Sequence, residues 1–149
     1  MAIITRTYGQ ADENHCLALF DGNCPEFFDP GERADYLEFL RSAPASYLVC
    51  VQGTELVGAF GVGERAASGL ALRWILIAPA AQGQGVGRAP MAQALETCRA
   101  RRAAALHISA SQKSAPFFAR FGARAVRTLP QGWGPGLDRV EMLVEIMQH

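Results

Sequence analysis

The chain has 149 residues, half of them hydrophobic and 19% charged, which predicts one globular domain over residues 1–149 with a substantial buried core. Its fourteen basic and fourteen acidic side chains give a formal net charge of zero. This balance argues against nucleic acid and against a membrane surface as partners.

The predicted elements follow one another without internal repeats or a linker. Strands are predicted where apolar and β-branched residues cluster, and helices where apolar residues recur at helical spacing. In chain order the prediction is a strand at 2–8, helices at 11–20 and about 29–41, strands at 47–51, 56–62 and 70–77, a helix at 86–103, a strand at 104–110, a helix at 115–121, and strands at 125–129 and 140–147.

Hairpins in this order lie beside β-α-β crossovers, so a doubly wound parallel sheet is excluded. The predicted fold class is α+β, a three-layer arrangement in which about four helices flank a mixed, mostly antiparallel sheet of about seven strands. A glycine- and proline-rich loop is predicted at 130–136.

The four cysteines lack the C-x-x-C spacing of a metal or redox site. The first residues carry charged side chains where a signal peptide needs an apolar run, and no segment approaches the roughly 20 apolar residues of a membrane span. We therefore expect a cytoplasmic protein with free thiols and no bound metal.

Charge is unevenly distributed along the chain. Acidic residues crowd the segment from Asp12 to Glu38, whereas basic residues dominate from Arg73 to Arg139. Two interpretations stay open. The segments are simply two solvated faces, or they form a basic side for an anionic cofactor and an acidic side for a cationic acceptor.

The strand predicted at 70–77 runs into the loop Gln82-Gly83-Gln84-Gly85-Val86-Gly87, which precedes a predicted helix. The first N–H groups of a helix lack partners within it, and the helix dipole adds positive potential there. Glycines let the backbone approach a ligand closely. The pattern therefore predicts a main-chain anion site suited to a pyrophosphate.

Spacing separates the kinds of nucleotide site that use such a loop. A P-loop needs Lys-Ser or Lys-Thr after its glycines, and neither follows here. A dinucleotide fold needs G-x-G-x-x-G, but Arg88 stands where the third glycine would fall. That fold also expects an acid about 20 residues further on, where residues 101–106 contain none.

The spacing that fits is Q/R-x-x-G-x-G/A, read here as Gln82-x-x-Gly85-x-Gly87. With the preceding Ile75-Leu76-Ile77-Ala78-Pro79, the chain resembles the GCN5-related N-acetyltransferase (GNAT) family, and the order of elements extends this resemblance to nearly the whole chain. The resemblance implies a GNAT-like fold and acetyl-coenzyme A as cosubstrate.

A second motif of that family, N-x-x-A-x-x-F-Y-x-x-x-G-F, corresponds to residues 111–123. Phe117 and Gly122 fit it, whereas Ser111 replaces the asparagine and Phe118 replaces a tyrosine that often protonates the departing thiolate. The resemblance implies the following coenzyme A-binding residues: Ile75, Leu76, Ile77, Gln82, Gly83, Gln84, Gly85, Val86, Gly87, Arg88, Ser111, Phe117 and Phe118.

The implied reaction is direct attack of an amine on the thioester, with backbone donors near Leu76 stabilising the oxyanion. Because Phe118 cannot donate a proton, water, Ser111 or Ser114 stays open as the acid. The family often places a glutamate base on its fourth strand, but residues 70–77 contain no carboxylate. Glu64 is therefore the first candidate for the general base, and His107 is the second.

The acceptor pocket of such folds lies between the first two helices and the last hairpin loop. We expect aromatic and acidic side chains there to bind a small or cationic amine. The candidate acceptor-binding residues are Phe27, Phe28, Glu32, Tyr36 and Trp133.

Three functions compete. The first is an N-acetyltransferase acting on a small-molecule or peptide amine. The second is a non-catalytic acyl-coenzyme A sensor or partner subunit, which Phe118 favours. The third, another nucleotide-phosphate protein, fits neither alternative loop pattern. The sequence leaves the oligomeric state open, with a homodimer as one expectation.

Overall fold

The computed structural model describes residues 2–42, 44, 46–65, 69–83 and 85–147, and in this part of the chain seven strands form one mixed sheet. The strands are β1 (Ile3–Thr7), β2 (Tyr47–Gln52), β3 (Glu55–Glu64), β4 (Leu70–Ile77), β5 (Ala105–Ala110), β6 (Arg124–Gly134) and β7 (Leu137–Glu145). The helices are α1 (Glu13–Gly22), α2 (Arg33–Arg41), α3 (Arg88–Ala100) and α4 (Ala115–Ala119).

The strand order across the sheet is β1-β2-β3-β4-β5-β7-β6. Neighbouring strands are antiparallel except β4 and β5, which run parallel. A parallel pair needs a long crossover connection, and α3 supplies it here. The predicted fold class and the order of elements are thereby confirmed.

The two central strands separate soon after they meet. In the described part of the chain, pairing between β4 and β5 is limited to Leu70 with Leu106 and Ala71 with His107, although both strands continue. A cleft therefore opens through the middle of the sheet.

A bulge in β4 accompanies this separation. Trp74 has φ of 39°, which is rare for a large side chain, and the β3–β4 register shifts between Ala59 and Gly61. As a result Leu72 and Ile75, three residues apart, both pack toward α3 and α4, while Trp74 packs toward α1 and α2. In a regular strand Trp74 would lie on the same face as Leu72, and the bulge places it on the opposite face.

Two hydrophobic clusters cover the two faces of the sheet. On one face α3 and α4 bury Met91, Cys98 and Phe118 against β5 and β7. On the other face α1 and α2 bury Phe20 and Tyr36 against β2 to β4. Both layers are required because each helix buries one apolar stripe and the sheet has two apolar faces.

Two local predictions were wrong. Residues 130–134, expected in a loop, belong to β6, because a register shift between Leu129 and Gly134 absorbs the extra residues of the hairpin. The helix expected from about residue 29 begins instead as a 3-10 turn at Pro30–Glu32, and α2 follows it. In that turn the side chains of Asp29 and Glu32 cap the backbone reciprocally.

A chain of two tyrosines supports the bulge from the α1–α2 face. The hydroxyl of Tyr47 donates to the carbonyl oxygen of Trp74 at 2.7 Å and lies 2.9 Å from the hydroxyl of Tyr36. Tyr47 has a single hydroxyl hydrogen, so Tyr36 must donate to Tyr47. Tyr36 and Tyr47 are completely buried, so the bond between their hydroxyls is shielded from water, while the bond to Trp74 is partly buried.

We expect Tyr47→Phe to lower the free energy of unfolding by about 1–3 kcal/mol, because it leaves the Trp74 carbonyl and the Tyr36 hydroxyl without these buried partners. Urea unfolding measures the change. Tyr8→Phe is the matched control: the Tyr8 hydroxyl is buried without a hydrogen-bond partner among the described residues, so its removal should be neutral or stabilising. Equal losses in the two variants would contradict the role of the tyrosine chain.

Candidate active site

The cleft between β4 and β5 has a volume of about 970 Å³, near the upper end of the range for small-molecule sites. Its lining comes from β4, the loop after β4, the end of β5, α4, the α1–α2 connection and the β6–β7 hairpin. The fold brings most of the site residues predicted from sequence to this cleft. They are Phe27, Phe28, Glu32, Ile75, Ile77, Gln82, Gly83, Gly85, Gly87, Arg88, Ser111, Phe117, Phe118 and Trp133.

The glycine loop, residues 82–87, borders the cleft on the side of α3. Gly83 and Gly85 have φ of 82° and 80°, a conformation that favours glycine. Apart from their chain neighbours, no atom of the described residues lies within 4 Å of where their Cβ atoms would be. α3 begins immediately afterwards at Arg88. The loop therefore presents accessible backbone beside a helix N-terminus, the arrangement that binds anions. Gln84 was also predicted here, and it lies outside the described residues.

Gln82 does not offer its amide N–H groups to the cleft. Its Nε2 donates to Oδ1 of Asn23 at 2.8 Å and to the carbonyl of Ile77 at 3.0 Å. Asn23 is buried and itself donates to the carbonyls of Leu19 and Ile77. This network ties the end of α1 to the glycine loop, so Gln82 positions the loop.

α4 forms the opposite border, and its first turn is fixed by two serines. Ser111 is buried, and its Oγ accepts from the backbone N–H groups of Lys113 and Ser114 at 3.2 Å. Ser114 Oγ in turn accepts from the N–H of Ser111 at 2.9 Å. The ring of Phe117 lies against Gly87, where a Cβ would come within 2.8 Å of it.

An aromatic wall, consisting of Phe27, Phe28, Trp74 and Trp133, lines the cleft from the direction of α1, α2 and the last hairpin. Phe28 stacks on Trp74 with ring centroids 6.1 Å apart. Trp133 is anchored by its indole N–H, which donates to the carbonyl of Ala110 at 2.9 Å. Tyr36, predicted among these residues, is completely buried in the core instead.

Glu32 is the single carboxylate that lines the cleft among the described residues. It is 8% exposed, and its Oε2 accepts from the backbone N–H of Asp29 at 2.9 Å. Burial raises the pKa of Glu32 to about 7, with Asp29 and Asp35 adding repulsion, while that hydrogen bond and the charge of Arg139 act in the other direction.

The two predicted general bases do not line the cleft. Glu64 is exposed, and its carboxylate pairs with Arg101 at 2.9 Å. His107 lies where β4 and β5 are still paired, packed against Gly69, and burial lowers its pKa. The side chains of Leu76 and Val86 are also buried in the core, so only their backbone could meet a ligand.

The predicted acidic side does not converge on the cleft. Asp21 pairs with Arg33 and Glu13 with Arg41, both at the outer surface. The charged residues of the described lining are instead mostly basic, and the cationic ones are Arg73, Arg88, Lys113, Arg120 and Arg139.

A family model described as the Acetyltransferase (GNAT) family matches residues 16–123. That segment runs from α1 to the end of the second motif and contains the glycine loop, both central strands and α4. The chain belongs to the GNAT family. Comparison with curated proteins gives no match.

Solved structures share the GNAT fold over almost the full length of the chain. A proposed GNAT acetyltransferase from Desulfovibrio desulfuricans is 23% identical, with a TM-score of 0.78 and coverage of 98% of this chain and 100% of the other. YncA from Salmonella typhimurium, a proposed acetyltransferase solved with acetyl-CoA, is 17% identical with a TM-score of 0.73 and coverage of 100% and 96%. The ribosomal-protein-S18-alanine N-acetyltransferase from Escherichia coli is 15% identical with a TM-score of 0.79 and coverage of 99% and 96%.

The described residues of this GNAT chain contain no group of three or more His, Cys, Asp or Glu side chains placed to hold a metal ion. None of their helices is long and apolar enough to cross a membrane.

We expect the stability of this GNAT domain to fall as pH rises from about 4.5 to about 7, through the titration of Glu32. The pKa of Glu32 is higher in the folded chain than the ordinary 4.5, so the native state binds more protons than the unfolded state in this window. The contribution of protonated Glu32 to the free energy of unfolding is present in full below pH 4.5. About 3 kcal/mol is lost when the pH rises above 7.

Urea unfolding of the wild type and of Glu32→Gln at a series of pH values isolates this contribution. Glutamine keeps a side-chain oxygen for the Asp29 N–H, so the difference between the two curves reports the ionisation of Glu32. Parallel curves between pH 4 and 8 would contradict the raised pKa.

Proposed function

We propose that this chain is an N-acetyltransferase that moves the acetyl group of acetyl-coenzyme A to the amine of a small acceptor. The observation that carries the proposal is Glu32: a buried carboxylate with a pKa near 7, lining the same cleft as the glycine loop. A general base works best when its pKa is close to the operating pH, and perturbed carboxylates in clefts mark functional sites.

Acetyl-coenzyme A fits the cleft in charge and in shape. The open backbone of Gly83 and Gly85 with the start of α3 suits its pyrophosphate, and Arg88 adds a cation. The segment Ile75–Ile77 lies beyond the two residue pairs that join β4 to β5, which leaves that side of β4 available to the pantetheine amides. Phe117 and Phe118 supply apolar walls.

The chain's own part in the reaction is to deprotonate and orient the acceptor. An amine that is protonated in solution must lose a proton before its nitrogen can attack, and Glu32 accepts that proton. Acetyl-coenzyme A supplies an activated thioester: a C–N bond forms, the C–S bond breaks, and the sulfur leaves with the electron pair. Backbone donors near Leu76 are our candidates for stabilising the charge on the carbonyl oxygen.

The departing thiolate needs little assistance, because an ordinary thiol has a pKa near 8.5. Phe118 cannot protonate it. The hydroxyl groups of Ser111 and Ser114 lie 3.4 Å apart at the cleft, and both line it. Either hydroxyl, or water, can pass to sulfur the second proton that the nitrogen loses once the C–N bond has formed.

We expect Gly87→Ala to weaken coenzyme A binding about tenfold. The added Cβ would lie 2.8 Å from the Phe117 ring and push it from its position beside the glycine loop. Isothermal titration calorimetry measures the affinity. Gly9→Ala is the control, because its Cβ would meet only an ordinary contact at 3.9 Å.

The same calorimetry in a Phe117→Ala background completes the test, since the collision then disappears and the effect of Gly87→Ala should shrink. An undiminished loss of affinity in that background would mean that the collision with Phe117 is not its cause.

We expect Glu32→Gln to lower kcat about 100-fold at pH 7 and to remove the ionisation near pH 7 from the pH–rate profile, because glutamine cannot accept the proton. Release of coenzyme A thiol with a panel of amines measures the rate. Glu64→Gln is the comparison variant, because Glu64 is exposed and paired with Arg101.

A loss in Glu64→Gln with none in Glu32→Gln would reverse the assignment. If no amine in the panel supports thiol release while coenzyme A still binds, the chain is instead the non-catalytic sensor or partner subunit that Phe118 favours.

A further inference from the structure

Five basic residues line the cleft in the described part of the chain. One of them, Arg73, donates from its guanidinium to the carbonyl oxygen at the end of β3 at 3.0 Å, and the other four fall into two groups. Arg88, Lys113 and Arg120 belong to the glycine-loop and α4 side, where the phosphates of the cosubstrate are expected under the proposed function. Arg139 belongs to β7 and stands beside the aromatic wall. Phosphate binding therefore accounts for the first group and leaves Arg139 unexplained.

Arg139 is held in a fixed orientation. Its guanidinium lies over the Trp133 ring, with Cζ 4.9 Å from the ring centroid, and its Nε donates to a carboxylate oxygen of Glu141. Glu141 is fixed in turn by Ser109, whose Oγ donates to it at 2.9 Å. A guanidinium clamped at Nε and stacked on one face presents its two Nη groups along one edge.

The Nη groups of Arg139 have no protein partner among the described residues, although the residue lines the cleft. Arg139 is also close enough to Glu32 for its charge to act on that carboxylate. The cleft therefore sets a guanidinium edge and a carboxylate near each other beside the aromatic wall, which is complementary to a molecule carrying an amine and an anion a few bonds apart.

We propose that the acceptor is a small amino carboxylate: the Nη groups of Arg139 bind its carboxylate, while Glu32 faces its amine. This inference rests on the proposed function, because it assigns the substrate class of the same cleft. Paired N–H groups of arginine match the two oxygens of a carboxylate, so recognition is directional as well as electrostatic.

The same arrangement argues against two other acceptors. A polyamine would bring a second cation toward Arg139, and Glu32 is the single carboxylate in the described lining to balance it. A protein N-terminus or lysine carries a neutral amide where the carboxylate would be, so the Nη groups would stay unpaired. A free amino acid satisfies both charged groups.

Thiol release from acetyl-coenzyme A tests the proposal with matched acceptors: each amino acid, its primary carboxamide and its decarboxylated amine, with a polyamine as a fourth arm. We expect kcat/KM for the best amino acid to exceed that of its carboxamide by about 10- to 100-fold, the loss typical for one hydrogen bond to a charged group. The difference should lie mainly in KM, because the contact between Arg139 and the carboxylate is made equally in the ground state and in the transition state.

Three variants connect the preference to Arg139. Arg139→Gln should remove the preference by lowering kcat/KM for the amino acid far more than that for the carboxamide, and Arg139→Lys should restore part of it. Arg124→Gln is the matched control. Arg124 lies on the same hairpin, outside the cleft lining, and its guanidinium lies 3.0 Å from the carboxylate of Glu145. Unchanged melting temperature and coenzyme A affinity verify that each variant is folded.

The outcomes separate the inference from the function on which it rests. Equal kcat/KM for acid and carboxamide, or an equal loss of both in Arg139→Gln, overturns the amino carboxylate while acetyl transfer stands. A polyamine or peptide turned over better than every amino acid does the same. If no acceptor in any arm releases thiol, the proposed function itself fails.

Discussion

The early separation of β4 and β5 is the constraint on which the rest of the structure depends. In the described part of the chain two residue pairs join these strands, and beyond Ala71 the sheet opens in its centre, where a continuous sheet would place hydrogen bonds. An interrupted sheet holds together only if each half is secured from elsewhere. The antiparallel hairpins on both sides, β2–β3–β4 and β5–β7–β6, and the helical layer on each face provide that support.

The opening in the sheet also explains why the segments that line the cleft come from distant parts of the chain. The α1–α2 connection meets the β6–β7 hairpin closely enough that a Cβ on Gly134 would lie 2.2 Å from Asp29. Trp133 then reaches the carbonyl at the end of β5, and Phe28 stacks on the bulge of β4. The aromatic wall is thus a bridge between the two halves of the sheet as well as a lining of the cleft.

Sequence predicted most of the fold because its signals are local. The spacing of Gln82, Gly85 and Gly87 lies within six residues, and the hydrophobic runs and turn residues identified every strand and helix in the right order. The β6–β7 hairpin was misjudged at 130–134 because glycine and proline read as a loop, whereas cross-strand pairing with a register shift overrides that preference.

The site was harder to predict because burial and pairing are tertiary properties. Glu64 and Glu32 are indistinguishable in sequence, yet one is exposed beside Arg101 and the other is enclosed at the cleft. Asn23, Trp74 and Arg139 were not identified at all. Asn23 gave no sequence signal, and the bulge at Trp74 appears only once the sheet is assembled. Arg139 is one basic residue among many until its stacking on Trp133 is known.

Glu32 is a residue of this site that lowers the stability of the fold at neutral pH. A carboxylate forced to titrate near pH 7 makes the fold less stable at neutral pH than a neutral residue of the same shape would. Its capping of the 3-10 turn does not require a charge, because glutamine serves equally well at that position of a capping box. Structure alone therefore gives no reason for a glutamate there. A chain with a destabilising carboxylate beside its aromatic wall gains something other than stability from it, and removing a proton from an amine is the use that we propose.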